Sequence, residues 1–169
     1  LKMKKLIILN MFALAAVVAL AALLARNASD AQSTMAVVVN YTQVRFEANE
    51  IRTQMIAMSD AMRGFLLNPA NQAEYEKKKQ ADAALTASVQ RLLKAAGDDA
   101  GYADAAGKIG KIDEETLDPI ENRVLELAGH DATAATRVYL DKYLPIRVQQ
   151  EEIVERLRAK ASDAFDMAV

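Results

Sequence analysis

The sequence predicts an all-α protein, an antiparallel up-down-up-down four-helix bundle that carries an N-terminal transmembrane helix. Hydrophobic residues make up 52% of the 169 residues, but aromatic residues make up only 5%. Strands favour aromatic and β-branched side chains, and strand-rich domains need frequent turns, whereas this chain has six glycines and three prolines. Turn-forming residues divide the chain into four long helical segments, and the first of them follows an apolar stretch.

The apolar stretch covers residues 6–25, in which Asn10 is the one polar side chain. A helix of that length spans about 30 Å, the thickness of the hydrocarbon core of a bilayer. Lysines within residues 1–5 precede it and only Arg26 follows closely, so the positive-inside rule predicts residues 1–5 in the cytoplasm and residues 26–169 outside. A cleaved secretory signal is the alternative, but Arg26 stands where a cleavage site needs a small residue.

The first helical segment runs from about Asn27 to Leu67 and stops at the Asn-Pro-Ala-Asn turn, residues 68–71. Its apolar residues fall on two faces. One face holds Met35, Val39, Phe46 and Ile56, and the other holds Val37, Val44, Ile51, Met55 and Met62. One face fills the bundle, and a monomer would leave the second in water, so we expect a homodimer.

The second segment begins at a capping box formed by Asn71 and Glu74, and it runs to about Ala96. Its predicted core face is made of Leu85, Val89, Leu92 and Ala96. Gly97 suits the left-handed backbone position that commonly ends a helix.

The third segment is interrupted by Pro119, where we expect a kink or a restart. Its predicted core face comprises Ile109, Ile112, Thr116, Ile120, Val124 and Leu127. The fourth segment starts at Asp131, after a turn at Gly129 and His130, and Pro145 is expected to bend it.

Several function classes are excluded by composition. The chain has no cysteine and one histidine, which removes thiolate metal sites, cysteine nucleophiles and most catalytic constellations. We expect no catalysis, no cofactor and no metal. The net charge of −2 argues against a nucleic-acid partner. Met55, Met58 and Met62 could ligate Cu(I), but core packing is the commoner use of such methionines.

Four stretches carry a resemblance to a known family: Lys-Met-Lys-Lys-Leu at 2–6, which leads into the apolar stretch, Met-Arg-Gly-Phe-Leu-Leu-Asn at 62–68, residues 125–135, and the proline-containing stretch 140–146. In their order and spacing the chain resembles the four-helix-bundle sensor domain of bacterial methyl-accepting chemotaxis proteins and related CHASE-type receptors. The resemblance implies an inner-membrane receptor whose periplasmic domain, residues 26–169, binds a small solute and signals by helix displacement. Related sensors precede histidine kinases and diguanylate cyclases, and a membrane-tethered structural or partner-binding protein is a further alternative.

Candidate ligand-binding residues lie on the first and fourth segments. Arg45, Arg52 and Arg63 are separated by near-whole numbers of helical turns and form one stripe. Equal rise along an antiparallel fourth helix brings further polar residues to these levels, namely Thr133, Thr136, Arg137, Tyr143 and Arg147. Receptors of the resembled family bind solutes between these helices near the dimer interface. Because arginine binds carboxylates bidentately, we expect a carboxylate-bearing solute. The alternative is that these arginines form salt bridges with acidic neighbours such as Glu47.

Overall fold

The computed structural model of the chain describes the backbone of Lys2–Ala168 and the side chains of residues 17–32 and 35–167. It contains two compact units, one comprising residues up to Val39 and the other Asn40–Met167. The described residues are helical except at three turns, residues 68–71, 97–99 and 129–131, and no strand occurs among them. The prediction of an all-helical bundle is therefore confirmed.

Four helical runs account for the fold. The first run is α1 and the second is α2, the third run is α3 followed by π1 and α4, and the fourth run is α5 followed by π2 and α6. Their bounds are α1 Lys2–Leu67, α2 Gln72–Ala96, α3 Ala100–Ile112, π1 Asp113–Leu117, α4 Asp118–Ala128, α5 Ala132–Val138, π2 Tyr139–Tyr143 and α6 Leu144–Ala168.

The predicted membrane span, residues 6–25, begins the long helix α1. The side chains of residues 6–16 lie outside the described part of the chain. Residues 17–25 are exposed, among them Val17 and Leu24. In the part of the chain whose side chains are described, no helix is long and apolar enough to cross a membrane. The membrane span stays a prediction.

Side chains at the three turns satisfy the first backbone N–H groups of the following helices. Asn71 accepts a hydrogen bond from the Ala73 N–H at 3.1 Å, Asp99 from Gly101 at 2.8 Å, and Asp131 from Ala134 at 2.9 Å. The predicted cap at Asn71 is confirmed, although the Glu74 carboxylate binds Lys77 at 2.8 Å. Gly97 has φ +53°, the left-handed backbone expected of it.

A wide π turn lies just before each of two prolines. The sequence placed an interruption at Pro119 and a bend at Pro145, and the structure has π1 ending at Leu117 and π2 ending at Tyr143. Proline lacks an N–H and its ring clashes with the carbonyl four residues earlier. A wider turn relieves that crowding, and each run restarts as an α-helix one residue before the proline.

The core of the second unit is apolar side chains from all four runs. The predicted face of α2, Leu85, Val89, Leu92 and Ala96, is buried there. One predicted face of the first segment is buried at Val44, Ile51, Met55 and Met62, although Val37 of that face is exposed. On the other predicted face, Phe46 and Ile56 are exposed. In the first unit, Met35 and Val39 are exposed.

The first and fourth runs of the second unit lie side by side in opposite directions. Going down α1 and up the fourth run, Ser59 contacts Tyr143, Arg52 pairs with Glu155, and Arg45 stacks on Phe165. The third and fourth runs are likewise antiparallel, because Asp113 contacts Arg147 and Asp99 contacts Lys160. As a result, Asp113 of π1 and Tyr143 of π2 both contact the side chain of Arg147.

Candidate functional site

A groove of about 210 Å³ separates α1 from α6. Its floor and walls are partly apolar, and Ser59 adds one hydroxyl. The residues that line it are Arg52, Met55, Ile56, Ser59 and Arg63 from α1, with Leu144, Arg147, Val148 and Glu151 from α6. Three of the eight residues predicted as ligand contacts, Arg52, Arg63 and Arg147, therefore line one groove.

Two of these arginines have solvent-accessible ion pairs. The Nε atom of Arg52 lies 2.9 Å from Glu155 and 3.7 Å from Glu151. Arg63 pairs with Asp60 one turn away, and the hydrogen bond to Asp60 raises the pKa of its guanidinium. Exposed pairs of this kind contribute about 0–1 kcal/mol, so an incoming anion can exchange with these carboxylates at small cost.

Arg147 differs from the other two because it is buried and hydrogen-bonded on every side. Its Nε donates to the Tyr143 hydroxyl at 3.1 Å, and its Nη1 donates to Gln150 at 2.6 Å and to Asp113 at 3.3 Å. Its Nη2 donates to Glu121 at 2.8 Å. The positive charge that Arg147 brings to the groove is therefore shared with carboxylates behind it.

Tyr143 connects this guanidinium to α1. The Tyr143 and Ser59 oxygens lie 3.1 Å apart. Because the tyrosine oxygen accepts from Arg147, its own O–H can donate to Ser59. Burial raises the pKa of Tyr143, which keeps the hydroxyl neutral. A hydrogen-bonded chain thus runs from the groove wall into the bundle.

Glu121 continues the chain to α2. Its second carboxylate oxygen lies 2.6 Å from the Lys78 Nζ, which also contacts Asp82 and Asp118 at 3.4 Å. Burial is the largest single influence on Lys78 and disfavours its charge, but the combined attraction of Glu121, Asp82 and Asp118 outweighs burial and raises the pKa of Lys78. We refer to Lys78, Asp113, Glu121, Arg147 and Gln150 as the buried cluster; all five are at most 6% exposed.

The two carboxyl groups of the buried cluster are less acidic than free ones. Burial raises the pKa of Asp113 to about 6, against the opposing attraction of Arg147. Burial also raises the pKa of Glu121, although Lys78 and Arg147 favour its charged form. Desolvation is thus the dominant influence on both groups, as expected for carboxyls removed from water.

The other predicted site residues lie elsewhere. Tyr143 is under the groove rather than in its lining, and the guanidinium of Arg45 lies 5.2 Å from the centre of the Phe165 ring. A shallow depression on the fourth run is lined by Ala132, Thr133, Thr136, Arg137, Leu140 and Asp141. The Thr136 hydroxyl donates to the Ala132 carbonyl within its own helix at 2.8 Å.

Sequence reasoning missed the acids and the lysine of the buried cluster, although a signal for them exists. Arg147 and Gln150 lie on the same face of α6 as the buried Val154, Leu157 and Ala161, because the positions follow one another at steps of three and four residues. Glu121 lies between Leu117 and Val124 on a core stripe in the same way. A charged residue at a core position of an amphipathic helix predicts a buried, paired charge.

The three methionines considered as Cu(I) ligands lie in the core. Met55, Met58 and Met62 are buried in the apolar core clusters. Within the part of the chain whose side chains are described, no three His, Cys, Asp or Glu residues are grouped so that they could hold a metal ion. His130 is exposed in the turn before α5.

Comparison of the chain with protein-family models, curated proteins and solved structures gives no match.

Proposed function

We propose that the chain is the sensory input domain of a bacterial transmembrane receptor, of the kind found in methyl-accepting chemotaxis proteins. In this proposal residues 6–25 anchor it in the inner membrane, residues 26–169 lie in the periplasm, and a homodimer binds a small carboxylate-bearing solute without catalysing a reaction. The observation that carries the proposal is the groove between α1 and α6, where three arginines meet an apolar wall.

The chemistry of the groove favours a small anion with an apolar body. Arg52 and Arg63 offer guanidinium groups, while Met55 and Ile56 offer apolar surface between them. A charge-assisted hydrogen bond contributes about 1.5–3 kcal/mol, and two such contacts plus apolar burial are consistent with micromolar affinity, near −8 kcal/mol. A carboxylate of the solute would take the place of Glu151 and Glu155 at Arg52 and of Asp60 at Arg63, so neither guanidinium is left without a charged partner on binding.

Signalling in this proposal uses the relative position of the two groove helices. The groove is lined from α1 on one side and from α6 on the other, so an occupant contacts both. Shifts of about 1–2 Å between packed helices are an established allosteric device. The π2 turn lies at the start of α6, and π turns are frequent at functional sites because their hydrogen bonding is irregular.

The homodimer is supported by apolar side chains on the outer surface of the second unit. Phe46 is 54% exposed on α1, and Val148 is 52% exposed on α6 beside Ile56 in the groove lining. A second copy covering this surface would remove these side chains from water, at about 25 cal/mol for each Å² of apolar area. It would also close the open side of the groove.

A thermal-shift screen of organic acids and amino acids on the full chain in detergent tests the carboxylate site. We expect carboxylates to stabilise the chain, and Arg52→Ala or Arg63→Ala to weaken binding about 10- to 150-fold, the equivalent of about 1.5–3 kcal/mol. Arg123→Ala is the matched control, because Arg123 is equally exposed and pairs with Glu126 one turn away, as Arg63 pairs with Asp60.

Stabilisation by neutral or cationic solutes alone, unchanged in both arginine variants, would contradict the carboxylate site. An equal loss of affinity in Arg123→Ala would contradict it too, since the effect would then reflect the net charge of the surface.

A further inference from the structure

Asp113 is the more weakly held of the two carboxylates in the buried cluster. One oxygen of Glu121 accepts a hydrogen bond from Arg147 at 2.8 Å, and the other forms an ion pair with the Lys78 Nζ at 2.6 Å. Asp113 meets Arg147 and Gln150 through a single oxygen, at 3.3 and 3.4 Å. Hydrogen bonds to a carboxylate are strongest near 2.7–2.9 Å, so Asp113 gains less from its charged form than Glu121 does.

The groups around Asp113 come from three other elements. Arg147 and Gln150 face it from α6, Glu121 from α4, and Asp82 from α2. Two of these neighbours are negative and one is positive, in a site where Asp113 itself is 1% exposed. The balance favours the neutral acid, in keeping with the raised pKa of about 6.

We propose that Asp113 is a proton-dependent partner of Arg147 that regulates the charge of the groove between α1 and α6. With Asp113 ionised, Lys78 and Arg147 are balanced by Asp113 and Glu121. With Asp113 protonated, the same four groups carry one net positive charge, and Arg147 presents it to the groove. This regulation rests on the proposed anion-binding function of that groove.

The direction of the effect follows from the protonation step. The proton comes from solvent and binds the Asp113 carboxylate, while Arg147 keeps Glu121 as its partner through Nη2. An anion in the groove then meets a less neutralised guanidinium, so its affinity rises as the pH falls. By reciprocity, a bound anion promotes protonation of Asp113 by the same factor, for which we expect about five- to tenfold.

NMR titration of the unliganded full chain in detergent tests the coupling without any ligand. We expect the Asp113 carboxyl carbon and the Arg147 Nε–H to titrate together with a midpoint of about 6. Asp113→Asn should abolish the Arg147 titration. Asp104→Asn should leave it unchanged, because Asp104 is an exposed residue of the same run that pairs with Lys108. A midpoint for Asp113 in the range of ordinary aspartates, or an Arg147 titration that persists in Asp113→Asn, would overturn the proposal.

Calorimetry with chloroacetate and fumarate, a mono- and a dicarboxylate that stay largely ionised at pH 5, tests the regulation of binding. We expect the native chain and Asp104→Asn to bind a probe about five- to tenfold more tightly near pH 5 than near pH 7.5, and Asp113→Asn to bind equally at both. An Asp113→Asn variant that keeps the native ratio would overturn the regulation. If neither probe binds at either pH although the two NMR signals titrate together, the coupling of Asp113 to Arg147 is supported and the carboxylate function of the groove is contradicted.

Discussion

Replacing Glu121 by glutamine should destabilise the chain more than a change at any exposed acid. Glu121 is fully buried and lies within 2.8 Å of both Arg147 and Lys78. Glutamine keeps the shape of the side chain but removes the charge, and its amide N–H₂ must face one of the two cations. Lys78 is then left with Asp82 and Asp118 at 3.4 Å, and Arg147 with Asp113 at 3.3 Å.

The expected loss is up to about 3–5 kcal/mol, the cost of breaking a buried ion pair, because Lys78 and Arg147 keep only the longer contacts at 3.3–3.4 Å. Against a total free energy of unfolding of about 5–15 kcal/mol, this change would be large. Urea unfolding at neutral pH, followed by far-ultraviolet circular dichroism, measures it as a lower midpoint at an unchanged m-value.

Glu115→Gln is the matched control for this experiment. Glu115 lies in the same run and is exposed, 3.7 Å from Lys111, so its loss should cost less than about 0.5 kcal/mol. A double-mutant cycle with Lys78→Met isolates the pairing, because the two changes should be strongly non-additive. If the free energies of unfolding of Glu121→Gln and Glu115→Gln differ by less than about 1 kcal/mol, the contacts of Glu121 do not stabilise the fold as argued.

Two further predictions concern the pH dependence of stability and the dimer. The folded-state pKa of Asp113, about 6, lies above its ordinary value of 3.8, so its stabilisation is complete below about pH 4 and is lost as the pH rises through about 6. In urea unfolding, the free energy of unfolding should fall by about 2–3 kcal/mol less between those pH values in Asp113→Asn than in the native chain. The same fall in both would contradict the raised pKa of Asp113. Phe46→Lys should convert a dimer to a monomer in analytical ultracentrifugation in detergent, whereas Leu140→Lys, at a position of similar exposure, should not. A native chain that sediments as a monomer at about 100 μM would contradict the dimer.

Much of the fold follows from local sequence signals. Asn71 and Gly97 lie at helix ends where capping preferences place them. The core face of the third run was predicted less well. Ile109, Val124 and Leu127 are buried, but Ile112, Thr116 and Ile120 are only partly buried. A constant period of 3.6 residues was assumed, and the extra residue in π1 rotates the face so that Asp113, Leu117 and Glu121 turn inward instead.

The composition of the groove was only partly predictable. Equal rise along antiparallel helices predicted Arg52 at the level of Tyr143 to Arg147, whereas in the structure Arg52 pairs with Glu151 and Glu155, further along α6. The groove is long enough to contain both Arg52 and Arg147 despite this difference in register. Equal rise gives the height of a residue along its helix but not the side of the helix on which the residue lies. It could therefore not distinguish the buried Arg147 from the exposed Arg137. That distinction depends on the π2 turn, which sets the direction in which α6 presents its side chains.

The two π turns also determine where this bundle can change length. A π turn holds one residue more than an α turn, so its loss restores an ordinary helix without rotating the helices on either side. Elsewhere in a helix a one-residue deletion rotates everything beyond it by about 100°, which in α6 would move Val154 and Leu157 out of the core. Deleting the exposed Asp141 inside π2 would leave those side chains facing inward. Over evolutionary time, single-residue insertions and deletions in such a bundle are therefore expected to collect at residues 113–117 and 139–143 rather than within α2.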